Sequence, residues 1–595
     1  MTGETRAAAF FFSIDRLCNR AAYERARGRR ATVTRTAVSI FLVLFAGLTA
    51  NVFAEEPDAD LIVTGGVIHT LDAASPRVEA VAVSQGRIVY AGDRGGAERY
   101  RGEKTRVLDA TGLTTLPGLV DAHAHLAGLG TFLAVLDLNG AASPDAVRER
   151  VLTRIAGAGP GEWILGRGWD QNDWGVKEFP TWRDLGGTES HPVCLRRVDG
   201  HAAWLNRRAL EICRITKQTG DPEGGRILRD QEGNPTGVLV DNAIELVAGE
   251  IPEISFDERV RRLKTAVAEC LRFGLTGVHD AGVGEKDLEV LRYLENRGEL
   301  GLRVYAMIDA DEPVFARGQL RRGPVVDEDH FLDVRALKLL ADGALGSRGA
   351  ALIDPYTDEP SNRGLIVVSR DELLRWTTSA LENGFQVCTH AIGDAGNRLT
   401  LDVYEEALSK SGATDSRLRV EHAQVLAPDD IARFARSGVI ASVQPTHATS
   451  DMAWAPDRLG PERIEGAYAW RKLLNTGCRI ACGSDFPVEA VNPLWGIYAA
   501  VTRKDHQGSP EGGWRAGECL SIDEAVRGFT VDAAFASFME NSKGTIKPGM
   551  LADFTLLDKD VFEISPGEIL STRVVYTIVG GTVSYAAPTG AGGNK

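Results

Sequence analysis

The chain has 595 residues, 44% of them apolar and 25% charged, with a formal charge of −15. That composition is globular, and the length exceeds one ordinary domain while leaving room for a barrel of about 250 residues or more. The negative balance argues against nucleic acid and anionic membrane surfaces as partners, since both are bound through clustered Lys and Arg.

Residues 1–54 stand apart, with eight Arg, no Lys and three acidic residues. A basic stretch from Arg25 to Arg35 leads into an apolar run from Ala37 to Ala50, and Val52 and Ala54 supply small residues before Glu55. This reads as a secretory leader, making the mature protein exported, periplasmic or extracellular, with no stable membrane association once it is removed. An uncleaved anchor is the alternative, because 18 residues lie at the lower limit for spanning. Without the leader the balance is 59 basic against 79 acidic residues, or −20. Cys194, Cys213, Cys270, Cys388, Cys478, Cys482 and Cys519 remain, an odd and scattered set that describes no disulfide framework.

The mature chain opens with β-rich sequence: Ala59 to Leu71 alternates and turns at Gly65-Gly66, and Val78–Val83 and Arg87–Ala91 follow. The far end has the same character over Ala552–Leu557, Arg573–Val579 and Thr582–Tyr585. Neither end can bury a core alone, so 55–114 and 544–587 are expected to form one small composite β-sandwich domain. The Gly-rich tail 588–595 is expected to be disordered.

Between these ends short apolar runs alternate with helical periods. The runs are Thr115–Val120, Leu275–His279, Leu302–Ile308, Val334–Ala341, Phe385–Thr389, Leu418–Glu421, Val439–Val443 and Arg479–Cys482. Amphipathic stretches such as Glu258–Phe273, Arg370–Asn383 and Asp429–Ser437 end at Gly274, Gly384 and Gly438, placed as C-terminal caps. Eight βα units predict a TIM (β/α)8 barrel over 115–543, with a doubly wound open sheet as runner-up. The interval 127–257 is too long for a loop and must be an inserted subdomain after the first barrel strand.

Ligand-type residues fall at the ends of these runs. His123 and His125 close LPGLVDAHAHL (116–126), one residue apart, so both can face one ion, with Asp121 on the same side. Lys338 lies inside the fourth run, His390 ends the fifth, His422 the sixth and Asp485 the eighth. A barrel would bring them together at its C-terminal face. Singly, each has an ordinary reading: a hydrogen-bonded His, a helix-capping Asp, a Lys338 paired with Asp342. A lysine in so apolar a strand is the hardest to dismiss, because an unpaired buried ammonium costs several kcal/mol.

LPGLVDAHAHL, LKLLADGALGSR (337–348), THAIGD (389–394), RVEHAQ (419–424), GSDFPV (483–488) and KPGMLADFTLLD (547–558) together resemble the amidohydrolase superfamily, in its amidohydrolase 3 branch of N-substituted formamide deformylase-like proteins. The resemblance covers the chain from about Asp60 to Tyr585. It implies that His123, His125 and Asp485 hold one ion, His390 and His422 a second, and a carboxylated Lys338 bridges them. Zinc suits such donors best. It further implies water activated between the ions, with Asp485 as the catalytic proton shuttle.

The expected activity is hydrolysis of a non-peptide carbon–nitrogen bond, an amide or N-substituted formamide, in a small-molecule substrate. Lactone, ester or phosphotriester hydrolysis, one-metal deamination, and a non-catalytic binding protein are the alternatives. Trp163, Trp169, Trp174, Trp182 and Trp204 crowd the insertion; they could wall a pocket or form a packing seam, and Trp169 and Trp204 are the substrate-binding candidates. His201, in a DGHAAW segment that resembles one of this branch, is the candidate substrate or transition-state contact, and His447 is placed as pocket-lining. His279 reads as a rim or core residue. The assembly state is open, with a homodimer as one option.

Overall fold

The computed structural model describes residues 58–588 apart from 199–200 and 223. The leader reading and the tail from 589 onward lie outside the described residues.

Eight parallel strands form the central sheet, in the order of the chain: Leu119–Ala124, Leu275–Val283, Arg303–Asp309, Leu332–Leu340, Gln386–Ala391, Arg419–His422, Ile440–Val443 and Ile480–Cys482. Where the eighth strand returns to the first, the seam is stitched by Asp485 N–H to the His123 carbonyl at 2.8 Å and His125 N–H to the Phe486 carbonyl at 2.9 Å. The fold is therefore the expected TIM barrel. Its strands are buried along almost their whole length, as parallel strands covered by helices must be.

Helices follow the sequence periods. Phe256–Arg272 starts where Ser255 accepts from the Glu258 amide and puts Leu263, Ala266, Val267 and Cys270 into the core. Beyond it Gly274 takes φ +85, and Gly438 closes Pro428–Ser437 at φ +64, the left-handed conformation for which glycine is preferred.

The first predicted run divides into two strands. Thr114–Pro117 belongs to the terminal sheet and Leu119–Ala124 to the barrel. The chain crosses over at Gly118, where a Cβ would lie 2.2 Å from Thr276 Oγ1, so only glycine passes between the layers.

Both ends of the described segment share one eight-stranded sheet, ordered Thr582–Ala586, Val574–Val579, Phe554–Leu557, Thr114–Pro117, Leu61–His69, Arg77–Ser84, Arg87–Gly92, with Arg106–Asp109 paired to Leu61–His69. Arg303 of the third barrel strand ties it to the barrel by gripping Asp553 through two contacts of 2.6 and 2.8 Å, both residues buried. The interval after the first barrel strand folds as a six-stranded sheet spanning Leu136 to Asp241. All seven described cysteines are free, five of them buried.

Candidate metal centre

The ends of all eight barrel strands converge on a cavity of about 620 Å³. His123, His125, Lys338, His390, His422, His447 and Asp485 all line it. The six residues proposed from sequence as metal ligands are thus brought together, and His447 joins them from the turn of helix that follows strand seven.

Asp485 sits at the centre. Its Oδ1 lies 3.0 Å from His125 Nε2 and 3.6 Å from His123 Nε2, while Oδ2 faces His447 Nε2 at 3.7 Å. The rings of His390 and His422 are 4.5 Å apart, and those of His123 and His422 4.8 Å. Two sets of donor atoms cluster within 4.8 Å of one another: His123, His125 and Asp485, and His422, His447 and Asp485.

Backbone strain and close packing put Asp485 there. It adopts φ +63, and at Gly483 just before it a Cβ would stand 2.4 Å from the His123 amide nitrogen. Asp121 holds this turn: its carboxylate accepts from the Ser484 amide at 3.0 Å and the Ser484 hydroxyl at 2.6 Å, and from the His123 amide at 3.0 Å. Asp121 is therefore a girder between strands one and eight, and burial raises its carboxyl pKa to about 7.

The histidines are oriented from behind. His123 Nδ1 meets Glu421 Oε2 at 2.5 Å, and His422 Nδ1 meets Gln444 Oε1 at 2.8 Å. Both partners accept, so the Nδ1 positions carry the protons and each Nε2 lone pair faces the cavity, as metal-ligating imidazoles require. Burial, then the Lys338 charge, lowers the pKa of His123 to about 4 and that of His390 to about 3, which keeps both neutral near pH 7. Burial opposes ionisation of Asp485, but the nearby His125 and the other imidazoles around it outweigh that and hold the carboxyl below its usual range.

Glu421 is itself anchored by Arg419, whose Nε lies 2.8 Å from Glu421 Oε1. Arg419 also donates to the Ala122 carbonyl and Ser442 Oγ and meets His279 Nδ1 at 2.9 Å. His279 is thereby a core residue. Glu421 was legible in RVEHAQ as a charged residue in a four-residue buried strand, which demands a partner; the sequence reading passed over it.

Lys338 makes no ion pair among the described residues. Asp342, its ordinary alternative partner, instead accepts from the amides of Ala351, Ile392 and Gly393 at 2.7–2.9 Å. Burial lowers the pKa of the Lys338 amine.

A divalent ion fits this donor set. His123 Nε2, His390 Nε2, His447 Nε2 and Asp485 Oδ1 are buried and accept or donate no hydrogen bond, a cost of about 1–3 kcal/mol for each such group unless a ligand satisfies it. Nitrogen and oxygen donors of this type suit zinc and its first-row neighbours.

Three candidates from the sequence lie elsewhere. Trp169 and Trp204 are fully buried in the insertion, packed edge-on with centroids 5.8 Å apart, and their indole N–H groups bond the carbonyls of Leu195 and Thr181. Together with Trp174 they form the insertion's own core and do not line the cavity, because rings this large stabilise a small sheet by burial. His201 is at the insertion surface, its side chain 75% exposed and paired with Asp241 at 2.9 Å, and it too is absent from the cavity wall.

Residues 106–585 match the model of the amidohydrolase family. Protein LONG AFTER FAR-RED 3 of Arabidopsis thaliana is 36% identical, covering 89% of this chain and 92% of that protein. N-substituted formamide deformylase of Arthrobacter pascens is 28% identical over 88% of this chain and 98% of its own. The crystal structure of an uncharacterized metal-dependent hydrolase from Pyrococcus horikoshii superposes with a TM-score of 0.71 at 30% identity, covering 85% of this chain and 99% of that one. With the family pattern running through both the barrel and the terminal sheet, this chain belongs to the amidohydrolase family.

Proposed function

We propose that this protein hydrolyses a non-peptide carbon–nitrogen bond, an amide or N-substituted formamide, at a divalent-metal site in the barrel mouth. The observation that carries the reading is the convergence of buried, unpartnered donor atoms on one cavity, from His123, His390, His447 and Asp485. The likeness to a formamide deformylase over nearly its whole length supports the bond class.

His123, His125 and Asp485 would hold one ion, and His390 and His422 a second, with His447 within reach of the latter. Bound there, such ions lower the pKa of water to about 7 and polarise a carbonyl. Lys338 is the bridging candidate. Its nitrogen, kept toward the neutral amine by burial, would form a bond to the carbon of carbon dioxide as one C–O π bond opens, and release one proton to solvent, which turns the buried amine into a carbamate anion. Asp485 Oδ2 takes the proton of the attacking water and returns it to the leaving nitrogen, so that amine and acid depart as separate products. Glu421 and Gln444 keep the imidazoles in the tautomer that faces the cavity.

The test is turnover of N-alkyl and N-aryl formamides, amides, esters and lactones by protein stripped of metal and then reloaded with zinc. Release of amine that appears only on reloading is the expected result. Ester or lactone turnover without amide turnover would replace the bond class, and no turnover by metal-replete protein would favour a binding role.

A further inference from the structure

Beyond the metal centre, the cavity wall carries a chemical bias. After strand seven, the helix Pro445–Asp451 and the turn that follows it present His447, Ser450, Asp451 and Trp454 to the cavity. His447, Ser450 and Asp451 are i, i+3 and i+4, one face of that helix, and Trp454 follows in the turn beyond it. His447 is at the reactive end, beside Asp485. At about 1.5 Å rise per residue, Asp451 lies roughly 6 Å farther along that face.

The acidic groups on this wall are held in place. Asp451 Oδ2 accepts from Tyr468 Oη at 2.6 Å and from Gln424 Nε2 at 3.0 Å, both donors buried. Its Oδ1 accepts no hydrogen bond among the described residues. Glu489, from the loop after strand eight, accepts from Ser450 Oγ at 2.7 Å. Asp309, at the end of strand three, and Asp311, from the loop after it, add two carboxylates on another wall. Against these, the lining contains no arginine among the described residues, and the one lysine among them is Lys338 on the floor. Arg458, which lies against Trp454, is already paired with Asp358.

A pocket that recognises a carboxylate or phosphate group on its substrate presents a guanidinium or ammonium to it. This one presents the opposite sign, together with an aromatic face of the kind that attracts cations. We propose that the cavity contains a cation subsite formed by Asp451, Glu489 and Trp454, and that the substrate is an N-acyl or N-formyl derivative of a diamine, its free ammonium held there while the amide reaches the metal centre. The inference rests on the hydrolytic reading given above. Water adds to the amide carbonyl, the carbon–nitrogen bond breaks, and the products are the carboxylic acid and the diamine, whose released nitrogen takes up a proton. The span from His447 to Asp451 is bridged by about four atoms, joined by about five bonds, of an extended chain advancing about 1.2 Å per bond, so a four-carbon spacer is the probe of choice.

The experiment compares three isosteres on zinc-loaded protein: N-(4-aminobutyl)formamide, N-pentylformamide and 5-formamidopentanoate. kcat/KM should fall about tenfold or more from the cation to the neutral compound, as expected for a charge-assisted hydrogen bond, and further to the anion. Asp451→Asn, and separately Glu489→Gln on its partly exposed loop, should each pull the cation-to-neutral ratio toward one. Calorimetric binding of 1,4-diaminobutane, which needs no turnover, should weaken by a similar factor in both variants. Equal rates for the three compounds, or an advantage for the anion, would overturn the subsite while leaving hydrolysis intact. Diamine binding that depends on Asp451 and Glu489 in protein that hydrolyses none of the three would leave the subsite standing and remove the hydrolytic reading. Diamine binding unchanged in both variants would overturn the subsite whatever the rates.

Discussion

Replacing Glu421 by glutamine removes one negative charge from a cluster with no access to solvent. Glu421 and Arg419 are fully buried and paired at 2.8 Å, and Glu421 also holds His123 Nδ1 at 2.5 Å. Breaking a buried pair by neutralising one partner costs about 3–5 kcal/mol, because the other charge stays behind unpaired. Loss of an acceptor behind a metal-ligating imidazole weakens metal binding by about 10–100-fold, or about 1.4–2.7 kcal/mol. Burial alone would raise the Glu421 pKa, but the charge of Arg419 and the hydrogen bond from His123 outweigh it and hold the carboxyl below its usual range. A depressed carboxyl stabilises the fold above its unfolded pKa of about 4.3 and loses that contribution as the pH falls through the folded value. Wild-type protein should therefore lose stability below about pH 4.3, and Glu421→Gln should show less of that acid slope from a lower starting point. Denaturant titration of the apoprotein at several pH values reads the stability, and competition with a zinc chelator reads the affinity. A Glu421→Gln protein with wild-type stability and wild-type zinc affinity would refute the reasoning.

Four further outcomes are expected. Asp485→Asn should retain part of the metal yet lose about 10²–10⁴-fold in turnover, the range for a general acid-base group; full activity restored by excess zinc would reduce Asp485 to a plain ligand. Because burial holds His123 near pKa 4 and His390 near 3, below the unfolded value of about 6.5, the unfolded chain binds more protons as pH drops. Apoprotein stability should accordingly be complete above about pH 6.5 and decline toward pH 4, and denaturation midpoints equal at pH 7.5 and 5 would contradict this. Gly483→Ala drives a Cβ against the His123 amide and should cut metal affinity more than it lowers the melting temperature. Trp204→Ala, in the insertion's core, should cost about 3–5 kcal/mol in the unfolding of that subdomain while KM for small formamides stays within about twofold; a large KM effect would return the tryptophans to the substrate wall.

The barrel was legible because its strands are short apolar runs between strongly periodic helices, and the converging donors because each ends a run. The finer strand boundaries were not. Thr115 and Val120 read as one run, yet Gly118 hands the chain from one sheet to another, and nothing in a hydrophobic pattern records a change of sheet. Glu421 was missed because on a strand it faces away from its neighbour His422, and period-two reasoning attends to one face at a time. The opposite error befell Trp169, Trp204 and His201. Aromatic density and a motif likeness do not say whether a ring faces a cavity or a core; that depends on how the insertion's strands pair, which the sequence leaves undetermined.

The central claim is that His123, His125 and Asp485 hold a divalent ion on which amide hydrolysis depends. Metal content by plasma mass spectrometry, measured beside formamide turnover on the same samples of wild type and of His123→Ala/His125→Ala, tests it directly. The account predicts bound metal in the wild type, turnover that rises and falls with that metal, and loss of both in the double variant. Wild-type metal content in the double variant, or turnover by metal-free wild type, would contradict it.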